Sequence, residues 1–259
     1  ILFAEPTGLF PRVAEPLAEN LGILCGHVAN AAAGASGPTP GQPYDIGFAF
    51  DPDVDRLSLV DETGRALGEE YTLALAARFV LERKPGPAVT NLSTSAMIDA
   101  VAARLGRTVL RTAVGEANVV EEMARAGAPI GGEGNGGVIL PAVHLGRDAP
   151  VGVALVLGLM AATGKKLSEL AAELPTMAMV KAKQELAAPP DLARLEDPLA
   201  RALPGGILDR RDGLRVSREG EWIHVRKSGT EPIVRIIAEA GDMTRAGQLR
   251  DLALEALGS

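Results

Sequence analysis

The sequence predicts an α/β fold, with partial and complete domains built on mixed or parallel sheets, followed by a C-terminal α+β domain with an antiparallel sheet. Three observations carry that expectation. Between residues 45 and 174 short apolar runs alternate with segments of helical spacing, the pattern of strands joined by crossover helices. A proline-containing stretch at 187–192 then interrupts the alternation. Beyond it, strand-like runs separated by short turns precede one amphipathic helix, which is α+β and not α/β.

Taken in order, the beginning of the chain is rich in Pro, Gly and Ala, and residues 31–43 (AAAGASGPTPGQP) follow neither period and read as a loop. Residues 45–50 and 57–60 are apolar runs on either side of DPDVDR, two strands or one strand broken by a tight loop. The acidic hexapeptide therefore falls at a strand end. Helical spacing spans 69–82, residues 88–92 read as extended, and Ser93 and Thr94 are capping candidates for a helix ending near Gly106. A strand at 108–111, a helix at 116–126, a strand at 138–140 and helices at 151–162 and 167–174 complete the unit, with Pro175 as its boundary. The last part holds strands at 214–217, 221–226 and 233–239 and a helix at 245–257.

Composition narrows the function classes. At 259 residues and 47% hydrophobic the chain can bury one large core or a few smaller ones. A formal charge of -7 disfavours nucleic acid and anionic membrane as partners, since both reward a basic face. Cys25 cannot form an intramolecular disulfide, and His27, His144 and His224 show no metal-ligand spacing; these four residues receive no role, and a cytoplasmic setting is expected. The apolar run at 149–163 is too short to span a membrane and is followed by Lys165 and Lys166. Residue 1 is isoleucine, so a missing beginning is expected.

Three segments carry candidate chemistry. Asp51, Asp53 and Asp55 lie at i, i+2 and i+4, a spacing that lets three hard oxygens converge, and the mutual repulsion of three carboxylates calls for a cation. A helix-loop-helix calcium site is rejected: Glu62 fits the twelfth position, but Arg56 stands where that loop needs glycine. A solvated acidic turn is the alternative, which Arg56 complicates, because a guanidinium beside a metal cluster suits a phosphoryl group. GGEGNGG, residues 131–137, contains G-x-G-x-x-G, but a strand follows where a dinucleotide site needs a helix. What remains is a glycine-rich loop exposing Glu133 and Asn135, which suit sugar hydroxyls, or a plain hairpin turn. RKSGTEP, residues 226–232, joins two strands through Arg226, Ser228, Gly229 and Thr230, donors for a phosphate cradle; the alternative is a polar hairpin tip.

In this order the three loops resemble the α-D-phosphohexomutase family, which includes phosphoglucomutases, phosphomannomutases and phosphoglucosamine mutases, and LFPRVAEPLAEN at 9–20 is similar to the stretch preceding the metal loop there. The resemblance implies a division into the C-terminal half of an α/β domain two with the metal loop (1–66), an α/β domain three with the sugar loop (67–175) and an α+β domain four with the phosphate loop (176–259). It implies that Asp51, Asp53 and Asp55 hold Mg²⁺, that Arg56 approaches a phosphoserine, and that Glu133, with Asn135 beside it, binds the sugar. Arg226, Ser228, Gly229 and Thr230 would hold the phosphate that is not transferred. The implied reaction interconverts hexose 1-phosphate and 6-phosphate through a bisphosphate. The family's nucleophile lies in a T-A-S-H-N-P type of loop, and this sequence contains no Ser-His pair; the first domain and about half of the second are expected to be missing, and the chain alone to be inactive. A non-catalytic sugar-phosphate binding protein is the alternative from another class, and a Mg²⁺-dependent phosphatase a third.

Overall fold

The structure is a computed structural model that describes residues 2, 7–10, 12–32, 42–185, 191–228 and 232–258. The chain divides into two compact units, Ile1–Arg111 with Gly115–Pro175, and Thr112–Val114 with Thr176–Ser259. The expected loop at 31–43 and the proline-containing stretch at 187–192 fall largely outside the described residues.

The first unit begins with α1 (Gly22–Ala32), which packs on the antiparallel hairpin of β1 (Ile46–Phe50) and β2 (Leu57–Asp61). Every residue of β2 is buried, and Leu21, Val28, Ala49 and Val60 form the local core. The hairpin settles the open question of 45–60: there are two strands, and DPDVDR is the turn between them.

Next come α2 (Glu70–Leu81), β3 (Ala88–Asn91), α3 (Met97–Arg104), β4 (Val109–Thr112), α4 (Glu116–Ala126), β5 (Ile130–Glu133), β6 (Gly137–Ile139), α5 (Ala149–Thr163) and α6 (Leu167–Ala172). The sheet runs β4-β3-β5-β6. β3 and β5 are parallel, with Ala88 opposite Ile130, whereas β6 returns antiparallel, with Glu133 opposite Gly137. The sheet is thus mixed. β5 hides in the glycine-rich run because its glycines admit close neighbours: a Cβ on Gly131 would stand 2.3 Å from the Met123 sulfur of α4. α3 starts later than expected, and Ser93 and Thr94 do not cap it; Ser95 Oγ accepts from Met97 N at 3.1 Å instead. α5 is capped by Asp148, which accepts from Val151 N at 2.8 Å, and ends at Gly164 in the left-handed region. Among the described residues no helix is long and apolar enough to cross a membrane.

The second unit holds β7 (Ala178–Glu185), α7 (Glu196–Ala202), β8 (Ile207–Asp209), β9 (Leu214–Arg218), β10 (Glu221–Lys227), β11 (Ile233–Ala240) and α8 (Met243–Gly258). Its antiparallel sheet runs β7-β11-β10-β9-β8. Leu214, Val216, Ile223, Val225, Val234 and Ile236 pack with Leu199, Leu249 and Ala253 into one core, the alternating apolar face of the sheet against its two helices.

Candidate functional site

The β1–β2 turn folds around one carboxylate. Asp51, almost wholly buried, accepts through Oδ1 from the backbone N–H groups of Asp55 at 3.1 Å and Arg56 at 3.0 Å, and through Oδ2 from Arg56 Nε. Burial opposes its charge, but these hydrogen bonds outweigh it and hold the carboxyl below the usual carboxylate range. The turn closes only with Val54 at φ +59°, a conformation that a β-branched residue occupies at a cost. Val54 in turn accepts from Ala149 N at 3.2 Å, which ties the turn to the start of α5.

One oxygen from each of Asp51, Asp53 and Asp55 lies within 4.8 Å of the others. Asp55 Oδ1 is buried and accepts no hydrogen bond. Burial, joined by the neighbouring Asp51 and Asp53 and opposed by Arg147, pushes the Asp55 carboxyl up to about 6. An oxygen-only donor set whose buried Asp55 Oδ1 lies 3.6 Å from Arg56 Nε and accepts no hydrogen bond fits a hard divalent cation.

The sugar-loop candidates sit on the β5–β6 hairpin. Glu133 is not exposed as the sequence suggests: it ends β5 and is buried. Its Oε1 accepts from Asn91 Nδ2 at 2.6 Å and Gly115 N at 3.2 Å, and its Oε2 from Arg147 Nη1 at 2.9 Å. Thr94 Oγ1 accepts from Gly134 N at 3.0 Å, so the hydroxyl expected to cap a helix holds the hairpin. Asn135 occupies the turn and accepts from Gly137 N at 3.2 Å. The turn meets the acidic hairpin directly, since Leu57 N donates to the Gly136 carbonyl at 3.0 Å.

Arg147 escaped the sequence reading. Its guanidinium donates from Nε to Glu116 Oε2 at 2.9 Å and from Nη1 to Glu133, while Nη2 pairs with Asp55. It joins the two predicted loops, which lie far apart in sequence. The only local signal is an arginine beside the α5 cap Asp148; its partners are set by the tertiary fold.

In the second unit Arg226 lies on β10 and donates from Nε to Asp212 Oδ2 at 3.2 Å. The same oxygen accepts from Val114 N at 2.9 Å. Ser228 N donates to the Ile233 carbonyl at 2.9 Å across the base of the β10–β11 turn. Gly229 and Thr230 lie outside the described residues. Of the three histidines, His224 is buried and donates from Nε2 to the Asp212 carbonyl at 2.6 Å.

Two family models match the chain: phosphoglucomutase/phosphomannomutase, alpha/beta/alpha domain III, over residues 68–177, and phosphoglucomutase/phosphomannomutase, C-terminal domain, over 166–256. The chain belongs to the α-D-phosphohexomutase family. It is 39% identical over 254 residues to a probable phosphoglucosamine mutase of Methanopyrus kandleri, covering 96% of this chain and 54% of that protein. It is 37% identical over 256 residues to a phosphoglucomutase/phosphomannomutase of Thermococcus kodakarensis, covering 98% and 54%. The crystal structure of a phosphoglucomutase/phosphomannomutase family protein from Burkholderia thailandensis superposes with a TM-score of 0.72 at 25% identity, covering 94% of this chain and 50% of that one. The chain spans about half the length of the curated relatives it matches. Within this phosphohexomutase chain the domain III match contains the β5–β6 hairpin and Arg147, the C-terminal match contains Arg226, and the acidic hairpin precedes both.

Proposed function

We propose that this chain supplies the metal, sugar and distal phosphate loops of an enzyme that interconverts hexose 1-phosphate and hexose 6-phosphate, and that the phosphoryl carrier lies outside its residues. The observation that carries the proposal is the convergence of Asp51, Asp53 and Asp55, with a buried Asp55 oxygen that accepts no hydrogen bond, beside Arg56 and linked to Glu133. In this reading the segments 1–66, 67–175 and 176–259 are the end of domain two, domain three and domain four.

Asp51, Asp53 and Asp55 would hold Mg²⁺, which supplies charge neutralisation on a phosphoryl group in flight. Arg56, anchored to Asp51, offers its remaining N–H groups to the same phosphoryl oxygens. Glu133 has three donors on a carboxylate with about four acceptor sites, so it can take one sugar hydroxyl without leaving its place. Asn135 stands beside it in the turn. Arg226, Ser228, Gly229 and Thr230 would grip the phosphate that stays on the sugar.

The substrate class is a hexose phosphate of the glucose, mannose or glucosamine type, in keeping with the names of the relatives. A second reading, in which the chain binds sugar phosphate without turning it over, rests on the absence of a Ser-His pair from these residues. Mixing the chain with a separately produced phosphoserine domain of a relative and assaying glucose 1-phosphate and glucosamine 1-phosphate decides between them. Restored turnover supports the enzyme reading, binding without turnover supports the second, and release of inorganic phosphate by the chain alone would contradict both.

A further inference from the structure

We infer that Arg147 is a positioning residue that makes cation binding at Asp55 and hydroxyl recognition at Glu133 depend on each other; the inference rests on the reading of the site given above. One guanidinium is divided among Asp55 of the acidic hairpin, Glu133 of β5 and Glu116 at the start of α4. Five N–H groups in a rigid plane can serve three carboxylates at once, but they carry a single charge. Whatever removes one claim on that charge strengthens the others.

The stem of Arg147 is placed as firmly as its head. Its backbone N–H faces Glu116 Oε1 at 3.4 Å, and the next residue, Asp148, donates its N–H to the Val138 carbonyl at 2.9 Å while capping α5. The side chain crosses β6 over Gly137, where an added Cβ would stand 2.3 Å from Arg147 Cδ. Glycine at 137 leaves the passage through which the guanidinium reaches both loops.

A divalent cation among Asp51, Asp53 and Asp55 competes with Arg147 for the Asp55 charge, and success leaves the guanidinium to Glu133 and Glu116. In the other direction, neutralising Glu133 turns Arg147 more fully onto Asp55 and weakens the cation. A side chain that merely staples the fold would give neither effect.

A double-mutant cycle between Arg147 and Glu133, read as Mn²⁺ affinity by electron paramagnetic resonance on the 259-residue chain, isolates this link, because the direct pull of Glu133 on the ion is present in both backgrounds and cancels. Arg147→Gln is expected to tighten Mn²⁺ by about tenfold. Glu133→Gln is expected to weaken it, and that weakening to shrink about fivefold once Arg147 is replaced. Effects that multiply independently, to within about twofold, would overturn the inference, as would a chain that takes up no Mn²⁺. Should Arg147→Gln fail to fold, Arg147→Lys, which keeps the charge and loses the fork, decides by the same cycle. Titrating glucose 1-phosphate into the Mn²⁺-loaded chain tests the sugar-phosphate reading separately: no binding there removes that reading and leaves the result of the cycle standing.

Discussion

Leu57 and Gly136 share a backbone hydrogen bond of 3.0 Å, so the end of the acidic turn and the tip of the β5–β6 hairpin are fixed to each other. Gly136 makes this approach at φ +91°, where a Cβ would lie 2.5 Å from the Leu57 carbonyl oxygen. Gly136→Ala therefore has to move one hairpin or the other. It is expected to destabilise the first unit by roughly 2–4 kcal/mol. The single tryptophan, Trp222, is buried in the second unit, so its fluorescence provides an internal control. Hydrogen exchange should show faster opening of β1 and β2 while the Trp222 transition is unchanged; protection equal to that of the unsubstituted chain would contradict the close contact.

Asp212 holds Arg226 in the second unit. Removing its carboxylate with Asp212→Ala leaves the Arg226 guanidinium without that anchor and Val114 N without that acceptor. Stability should fall by about 1–2 kcal/mol, and affinity for inorganic phosphate by about tenfold. If phosphate affinity is unaltered by calorimetry, Arg226 is not oriented by Asp212.

The second unit should weaken on acidification. His224 is held below its ordinary value of 6.5, by burial first and against the pull of the Asp212 carbonyl. With the folded value depressed, the unfolded chain binds the proton more readily, so the contribution is complete above about pH 6.5 and declines as the pH falls below that value. Glu221 adds a later step: burial opposes its charge, but Arg245 and Arg218 outweigh it and lower its carboxyl. That contribution is present above the ordinary glutamate value of about 4.3 and is lost as the pH falls through the lowered one. Urea titrations followed by Trp222 fluorescence should give a midpoint that drops between pH 7 and 5, and His224→Gln should flatten that drop. A slope that survives the substitution would assign it to another group.

Much of this molecule was legible from its residues. The alternation at 45–174 predicts a mixed or parallel sheet with its helices, of which the structure has the mixed form, and DPDVDR predicts the convergence of three carboxylates, because both depend on local spacing. β5 was not legible: Gly131 and Gly132 read as loop, and only the packing of Met123 against the strand explains them. Nor was β7, whose Ala182 packs against the core of the second unit and which is recognisable only once it pairs with β11. α1 was masked by the Pro, Gly and Ala bias around it. The burial of Glu133 and the role of Arg147 follow from contacts between residues that are distant in sequence, which no periodicity records. Thr94 shows the reverse error, in which a good local capping signal yields to the hydrogen bond from Gly134 N of the β5–β6 hairpin.

The most direct measurement is calorimetric titration of Mg²⁺ into the chain and into Asp53→Asn. Asp53 is the exposed member of the cluster, so the substitution should leave metal-free stability within about 0.5 kcal/mol. One saturable site per chain, lost in Asp53→Asn, is the result predicted here. No saturable heat, or an identical isotherm from the substituted chain, would contradict a cation held by the β1–β2 turn and with it the site built around that turn.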